Sequence, residues 1–217
     1  MKKNIYTKRG NGAGKTKIIF IEGLIGLGKT TLVEYLKERG YIVELEPVKY
    51  LQDNGLLEAF YKDPKKYSYI MQNTMFLLKM NTINNITSDI VFIERSPFCD
   101  KECFASLLHD DGFIDEIEWS SYNLWFNTLI KQMEQIDYKF IYLKADPKIC
   151  KERIENRGRK GEESISLEYL EKLSKKHDEW LNNMPKDKVL ELDASLDKEH
   201  IDEHIKKIEE FFHLTKE

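Results

Sequence analysis

The sequence predicts a three-layer α/β fold, in which helices cover both faces of a five-stranded parallel sheet. Short apolar runs of strand length recur along the chain, and longer segments with helical periodicity separate them. These runs are Ile18–Ile21, Tyr41–Leu45, Ile90–Ile93, Phe140–Leu143 and Val189–Leu192. No Pro/Gly/Ser-rich linker and no internal repeat divides the 217 residues. We therefore expect a single domain over residues 17–217.

The first predicted strand leads into a glycine-rich loop with the sequence EGLIGLGKTT. Gly23, Gly28, Lys29 and Thr30 satisfy the motif G-x-x-x-x-G-K-[ST], and a helical pattern follows. Backbone N–H groups and the helix N-terminus of such a loop attract phosphate groups. The order of strand, loop and helix predicts a P-loop NTPase-type fold that binds the phosphates of a nucleotide. The predicted nucleotide-binding residues of the loop are Gly23, Leu24, Ile25, Gly26, Leu27, Gly28, Lys29, Thr30 and Thr31.

A second glycine-rich segment, Gly10–Thr16, also contains Gly-Lys-Thr. Arg9 stands where the motif requires its first glycine, and a strand rather than a helix follows. We interpret residues 1–16 as a flexible N-terminal arm. The first 17 residues carry six Lys and Arg, which raises the alternative of a targeting peptide. The short length and low apolar content of the segment argue against that alternative.

Composition argues against two classes of partner, nucleic acids and membranes, although local basic clusters remain possible. The net charge of −4 argues against a sequence-independent nucleic-acid binder, which is usually basic. The chain has no apolar run of the roughly 18–20 residues that span a bilayer, so we expect no membrane segment.

The three cysteines predict a reducing environment. Cys99 and Cys103 are four residues apart, but no second Cys or His pair in the sequence completes a zinc site. With Cys150 they are expected to be free thiols in the cytoplasm. We interpret His177 as a packing residue beside Trp180 on a helix.

Two long helical segments carry more apolar side chains than one buried face requires. Residues 67–86 have few helix breakers, and residues 119–136 contain four aromatic residues. Such a surface is either buried within the fold or packs against a second copy of the chain. Of the two, we favour a homodimer through these regions.

Charged residues follow two of the predicted strands. Glu94 and Arg95 come directly after Ile90–Ile93, and Glu46 follows Tyr41–Leu45. The carboxyl ends of parallel strands form the edge at which open α/β sheets bind ligands. There Glu94 could reach Mg²⁺, Arg95 could clamp a reacting oxygen, and Glu46 could accept a proton from a hydroxyl. The alternatives are a salt bridge at the end of a strand and a turn residue before proline.

A basic segment near residue 157 is interpreted as a lid. Asp146 and the proline after it predict a helix start, which places Arg153 and Arg157 on one helix face. Arg159 follows after a glycine, so we expect a mobile, cationic flap. Cations over the migrating phosphoryl group are what phosphoryl transfer requires. The alternative is a solvated helix end.

Taken together, these motifs resemble those of the deoxynucleoside kinase family, whose members make deoxynucleoside monophosphates from ATP. The resemblance runs from Lys17 to about Leu181 and is weaker beyond. The matching motifs are Gly23–Thr30, Glu46-Pro-Val48, Tyr61–Tyr67 with Gln72, Glu94-Arg-Ser96, Arg157-Gly-Arg159 with Glu162, and Leu167–Leu170 leading to His177–Trp180. Thymidylate kinases share the fold, but they have Asp-Arg-Tyr where this chain has Glu94-Arg95-Ser96.

The resemblance implies a role for each matching residue. Glu46 would be the general base on the substrate 5′-hydroxyl, with Arg95 close to that oxygen. The transferring phosphoryl would be stabilised by Lys29, Arg157 and Arg159, and Mg²⁺ would be held by Thr30 and Glu94. The implied substrate and donor contacts are Tyr61 and Glu162 on the 3′-hydroxyl, Gln72 on the base edge, Phe104 on the base face, Met71 in the substrate site, and Arg153 over the donor adenine. A small shift of the alignment would give Glu163 the role of Glu162.

Lys79 and Asp100 bear on the choice of base, because the family's cytosine- and purine-accepting members carry a basic and an acidic residue there. A carboxylate only accepts hydrogen bonds, so it suits the exocyclic amino group of cytosine or adenine and repels thymine O4. We therefore expect deoxycytidine, purine deoxynucleosides or both to be favoured over thymidine; the alternative is that the two charges simply neutralise each other. Three departures from the family pattern affect this pocket or the lid: Leu51 in place of Trp, Lys79 in place of Arg, and Gly161 in place of an acid.

Two other functions are alternatives. A nucleoside monophosphate kinase would need a further cationic pocket for the acceptor phosphate, and the sequence offers none beyond Arg95 and the lid. A catalytically silent structural subunit would be expected to have lost Lys29, the base or the lid arginines, all of which remain.

Overall fold

The computed structural model describes residues 16–159, 161–195 and 200–214. Within them the strands form one parallel sheet in the order β2-β3-β1-β4-β5. The strands are β1 (Lys17–Glu22), β2 (Val43–Glu44), β3 (Ile90–Glu94), β4 (Asp137–Lys144) and β5 (Val189–Asp193). Each lies at one of the predicted apolar runs.

Helices connect the strands and flank the sheet. They are α1 (Lys29–Glu38), α2 (Val48–Asp53), α3 (Leu56–Lys62), α4 (Pro64–Asn84), α5 (Pro97–Cys99), α6 (Ser106–Asp110), α7 (Glu116–Leu129), α8 (Pro147–Arg157), α9 (Leu167–Leu181) and α10 (Ile201–Phe211). A π-helical turn, Asp100–Ala105, joins α5 to α6. Short 3₁₀ segments cover Ile130–Gln135 and Glu162–Ser164.

The sheet separates two apolar cores. Ile19 and Ile21 of β1 pack with buried residues of α1, α8, α9 and α10, whereas Ile18 and Phe20 pack with those of α4 and α7. Successive side chains of a strand point to opposite faces, so a strand covered on both sides is apolar throughout. The predicted three-layer sandwich is confirmed.

The second strand is shorter than the predicted run Tyr41–Leu45. It pairs only with β3, through Val43 and Glu44, and therefore forms an edge of the sheet. Tyr41 instead closes the preceding helix, because its backbone N–H donates to the Leu36 carbonyl oxygen.

The boundaries of both long helices differ from the prediction. The α4 helix begins at Pro64, three residues before the prediction, because the Asp63 side chain accepts a hydrogen bond from the Lys66 N–H. The α-helix of α7 ends at Leu129, so the expectation of a continuous helix to residue 136 was wrong. The chain tightens into 3₁₀ geometry there, as it turns into β4.

The end of the predicted N-terminal arm is attached to the sheet. Thr16 is buried, and its carbonyl oxygen accepts a hydrogen bond from the Asp137 N–H. Residues 1–15 lie outside the described residues, so their assignment as an arm stays a prediction. Among the described helices, none combines the length and the apolar character that a membrane span requires.

Candidate active site

The glycine-rich loop has a backbone that only glycine adopts readily. Gly23, Gly26 and Gly28 have φ angles of 138°, 85° and 81°, in the left-handed region. A Cβ atom on Gly23 would also lie 2.5 Å from the Leu143 carbonyl oxygen of β4. Gly23 is therefore required both by the conformation of the turn and by its close approach to β4.

Lys29 and Thr30 begin α1 and face the cavity above the sheet. The Lys29 ammonium donates to the carbonyl oxygens of Gly23, at 3.2 Å, and Leu24, at 2.6 Å. Burial, reinforced by the positive charge of Arg95, lowers the pKa of Lys29 to about 8. The Thr30 hydroxyl donates to Glu94 Oε1 at 2.9 Å, which brings the two predicted Mg²⁺ ligands together.

Glu46 lies between two buried cations. Its Oε1 is 3.3 Å from Lys79 Nζ, and its Oε2 is 3.3 Å from Arg95 Nε. Burial alone would raise the pKa of Glu46, but the charges of Lys79, Arg95 and Lys29 outweigh it and hold that pKa below its ordinary value. The carboxylate is therefore ionised at neutral pH, as a proton acceptor must be.

Arg95 is held in a strained conformation at the end of β3. Its φ of 63° is unusual for a residue with a side chain. Its backbone N–H donates to the carbonyl oxygen of Ile21 on the neighbouring strand β1. Its guanidinium carbon lies 4.7 Å from the centre of the Phe104 ring. Backbone strain of this kind concentrates at functional sites, where surrounding contacts maintain it.

Lys79 and Asp100 form a buried ion pair at 2.5 Å. Burial would lower the pKa of Lys79, but the carboxylates of Asp100 and Glu46 raise it above its ordinary value. Lys79 thus bridges Glu46 and Asp100 from behind the cavity wall and is not among the residues that line it. The other oxygen of Asp100, Oδ2, is buried and has no hydrogen-bond partner among the described residues.

The predicted lid joins the substrate side of the cavity through Glu162. Arg157 Nη2 is 2.6 Å from Glu162 Oε2, and Arg159 Nη1 is 3.3 Å from Glu162 Oε1. Burial, together with the charge of Glu162, raises the pKa of Tyr61 to about 12. Gly161 has a φ of 93° and packs on the Tyr61 ring, where a Cβ atom would come within 2.7 Å.

Arg153 is directed to the loop that follows β5. Its Nη1 donates to the Ala194 carbonyl oxygen at 2.8 Å and its Nη2 to that of Ser195 at 3.4 Å. It therefore helps to form the wall on the phosphate-loop side of the cavity.

One cavity of about 1180 Å³ unites these groups. Most of the predicted site residues line it; Gly23, Leu24 and Lys79 lie behind its wall. Sequence reasoning did not select several other lining residues, which are Leu57, Phe60, Met75, Asn156, Tyr169, Ile201 and His204. Tyr169 belongs to a motif that the resemblance included, so a signal for it existed; the apolar residues look like ordinary core positions in the sequence.

The chain is similar in sequence to known proteins. The sequence model of the family described as deoxynucleoside kinase matches residues 19–213. A fowlpox virus protein named probable deoxycytidine kinase is 39% identical over 86% of this chain and 82% of its own length. Rat deoxycytidine kinase is 31% identical over 93% of both chains, and the mitochondrial deoxyguanosine kinase of Xenopus laevis is 30% identical over 77% of this chain and 74% of its own. The phosphate-binding loop, the sheet-edge carboxylates and these similarities agree: the chain belongs to the deoxynucleoside kinase family.

Proposed function

We propose that this kinase transfers the γ-phosphoryl group of ATP to a deoxynucleoside 5′-hydroxyl, with Glu46 as the proton acceptor. One observation carries the proposal: the ionised Glu46 carboxylate lies between Lys79 and Arg95, on the same cavity as the phosphate-binding loop. Proton removal makes the hydroxyl oxygen a better nucleophile. Arg95 is then positioned to bind the same oxygen as negative charge develops on it.

Thr30 at the start of α1 and Glu94 at the end of β3 fit Mg²⁺. The Thr30 hydroxyl and the Glu94 carboxylate, 2.9 Å apart, are the hard oxygen donors that this cation prefers. Bound there, Mg²⁺ would neutralise charge on the donor phosphates. Thr30 and Glu94 would hold it, while Lys29 exchanges its loop carbonyl partners for phosphate oxygens.

The lid supplies further positive charge. Arg157 and Arg159 both contact Glu162, so closure that brings Glu162 to the sugar 3′-hydroxyl also brings two guanidinium groups toward the phosphates. Tyr61 lines the same region and offers a second hydrogen bond to the sugar. The lid thereby couples recognition of the sugar to stabilisation of the transferring phosphoryl.

We further propose that deoxycytidine and purine deoxynucleosides are preferred over thymidine. Asp100 Oδ2 is a buried acceptor without a partner among the described residues, so a substrate amino group would satisfy it. Lys79 binds the other oxygen and fixes the carboxylate. The names of the relatives, deoxycytidine kinase and deoxyguanosine kinase, support this preference.

A cytoplasmic homodimer is also proposed. Large apolar side chains are exposed on α4 and α7, namely Ile70, Leu77, Ile117, Leu124 and Trp125. These two helices pack against each other, so a second copy could cover both faces at once. The three buried, unpaired cysteines are consistent with a reducing compartment.

The experiment is a panel of acceptors assayed with ATP and Mg²⁺: deoxycytidine, deoxyadenosine, deoxyguanosine, thymidine and their 5′-monophosphates. We expect phosphorylation of the nucleosides, with deoxycytidine or a purine deoxynucleoside giving the highest kcat/KM. If only monophosphates accept phosphate, the chain is a monophosphate kinase. If thymidine is the best nucleoside, the proposed role of Asp100 is wrong.

A further inference from the structure

Two cysteines and one histidine that the kinase chemistry does not use lie together beneath the active site. Cys99 ends α5, Cys103 lies on the π-helical turn, and His177 comes from α9, 78 residues from Cys99. All three are fully buried, and their donor atoms lie within 4.8 Å of one another. The sequence argued against a zinc site because no nearby Cys or His completes one; the fold brings in the third donor from a distant helix.

The histidine ring is oriented as metal ligands usually are. His177 Nδ1 lies 2.8 Å from the Leu173 carbonyl oxygen and donates its proton there, which leaves the Nε2 lone pair free. The ring stacks on Tyr142. The sequence had suggested Trp180 as its packing partner. His177 Nε2 is 3.5 Å from Cys99 Sγ. Tetrahedral zinc with ordinary bond lengths separates a sulfur and a nitrogen ligand by about 3.6 Å.

The surroundings suit a divalent cation held by two thiolates. Arg95 Nη1 is 3.7 Å from Cys99 Sγ. Two thiolates neutralise a divalent cation, so the Arg95 guanidinium would lie beside a metal centre without net charge. A buried carboxylate lies close by. Glu22 Oε1 accepts a hydrogen bond from the Ser96 N–H, and the Ser96 hydroxyl oxygen caps the helix that carries Cys99. Glu22 Oε2 has no hydrogen-bond partner among the described residues.

We propose that Cys99, Cys103 and His177 bind one divalent cation of the zinc class. Each thiol releases its proton to solvent when its sulfur ligates the cation, and His177 ligates through Nε2. The bound cation joins α9 to the π-helical turn that carries Asp100 and Phe104. When bound, this cation therefore fixes one wall of the substrate cavity. It is separate from the Mg²⁺ proposed at Thr30 and Glu94.

Cobalt is a suitable probe, because Co²⁺ adopts tetrahedral geometry and thiolate ligation gives it characteristic absorption bands. The full chain, stripped of metal and kept reduced with a phosphine, is titrated with Co²⁺ in the absence of nucleotide and Mg²⁺. We expect thiolate-to-cobalt absorption that saturates at about one Co²⁺ per chain and disappears when Zn²⁺ is added. Cys103→Ser is expected to weaken Co²⁺ binding at least about 10-fold. The matched control is Cys150→Ser, a buried cysteine outside the cluster, which retains the bands.

Either of two results would overturn the proposal: a folded wild-type chain without thiolate bands in excess Co²⁺, or bands that persist unchanged in Cys103→Ser. If that variant fails to fold, release of one or two protons per Zn²⁺ bound by the wild-type chain supports the site, and release of none contradicts it. Neither readout uses phosphoryl transfer, so failure here is distinct from failure of the proposed kinase function.

Discussion

Four charged side chains of the candidate site lie in one row, and all but the partly exposed Glu46 are buried. Asp100, Lys79, Glu46 and Arg95 form a row of alternating charge from the base side of the cavity to the end of β3. Removal of one member leaves an opposite charge buried without its partner, which is costly. The row therefore fixes the proposed general base, Glu46, and the proposed base-reading carboxylate, Asp100, relative to each other.

Residue patterns in the sequence identify Glu46 and Arg95 but not the connection between them. Both follow strands that meet at one edge of the sheet, so their proximity is predictable from topology. Lys79 comes from the middle of α4, and its bridging position depends on how that helix packs against the π-helical turn. Sequence periodicity does not carry that information, and it also could not bring His177 to the two cysteines.

Asp100→Asn should relax the choice of base. The Asn amide can donate a hydrogen bond to thymine O4, whereas a carboxylate only accepts. The ratio of kcat/KM for thymidine to that for deoxycytidine should rise at least about 10-fold. Steady-state kinetics with both nucleosides provides the measurement. Asp111→Asn, a carboxylate paired with Lys172 outside the cavity, is the control and should leave the ratio unchanged. An unchanged ratio in Asp100→Asn would remove this residue from base recognition.

Helices and strands followed the sequence well where a local signal existed. Asp146 and Pro147 begin α8 as predicted, and the same Asp-Pro signal at residues 63–64 explains why α4 starts early. The π-helical turn at Asp100–Ala105 has no such signal, because it depends on contacts with α4 and α9. This turn carries Asp100 and Phe104, so the positions of these two side chains could not be predicted from the sequence.

Gly161→Ala should impair the lid. Its φ of 93° disfavours a side chain, and the new Cβ atom would meet the Tyr61 ring at 2.7 Å. The conformational strain is about 1–2 kcal/mol, and displacement of Tyr61 should raise KM for the deoxynucleoside about 10-fold. Gly112→Ala is the matched control, since Gly112 has a φ of 75° but no atom within 4 Å of the added Cβ. Equal KM values for the two variants would show that the contact between Gly161 and Tyr61 does not affect deoxynucleoside binding.

At the scale of the whole molecule, α4 has two roles. Its inner side buries Gln72, Lys79 and Phe76, which belong to the cavity region and to the core, while Ile70 and Leu77 face outward. A helix that is apolar on most of its circumference is usually covered on most of it. In the proposed dimer, the substrate site would therefore be supported from behind by the interface.

Leu124→Glu should separate the dimer. Leu124 is 69% exposed on α7, and a buried, unpaired carboxylate at an apolar interface is unfavourable. Sedimentation velocity should give a dimer for the wild-type chain and a monomer for the variant. Tyr50→Glu is the control, because Tyr50 is exposed on α2 instead, and it should remain dimeric. A monomeric wild-type chain at micromolar concentration would refute the dimer.

The proposed role of Glu46, removal of the proton from the substrate hydroxyl, is tested by measuring kcat of Glu46→Gln with deoxycytidine, ATP and Mg²⁺. The amide keeps the size of the side chain but cannot accept the proton, so kcat should fall about 10²–10⁴-fold. Glu44→Gln, an exposed carboxylate two residues upstream, should retain wild-type kcat. A kcat for folded Glu46→Gln within about threefold of the wild-type value, a difference below about 1 kcal/mol in activation free energy, would show that Glu46 is not the proton acceptor.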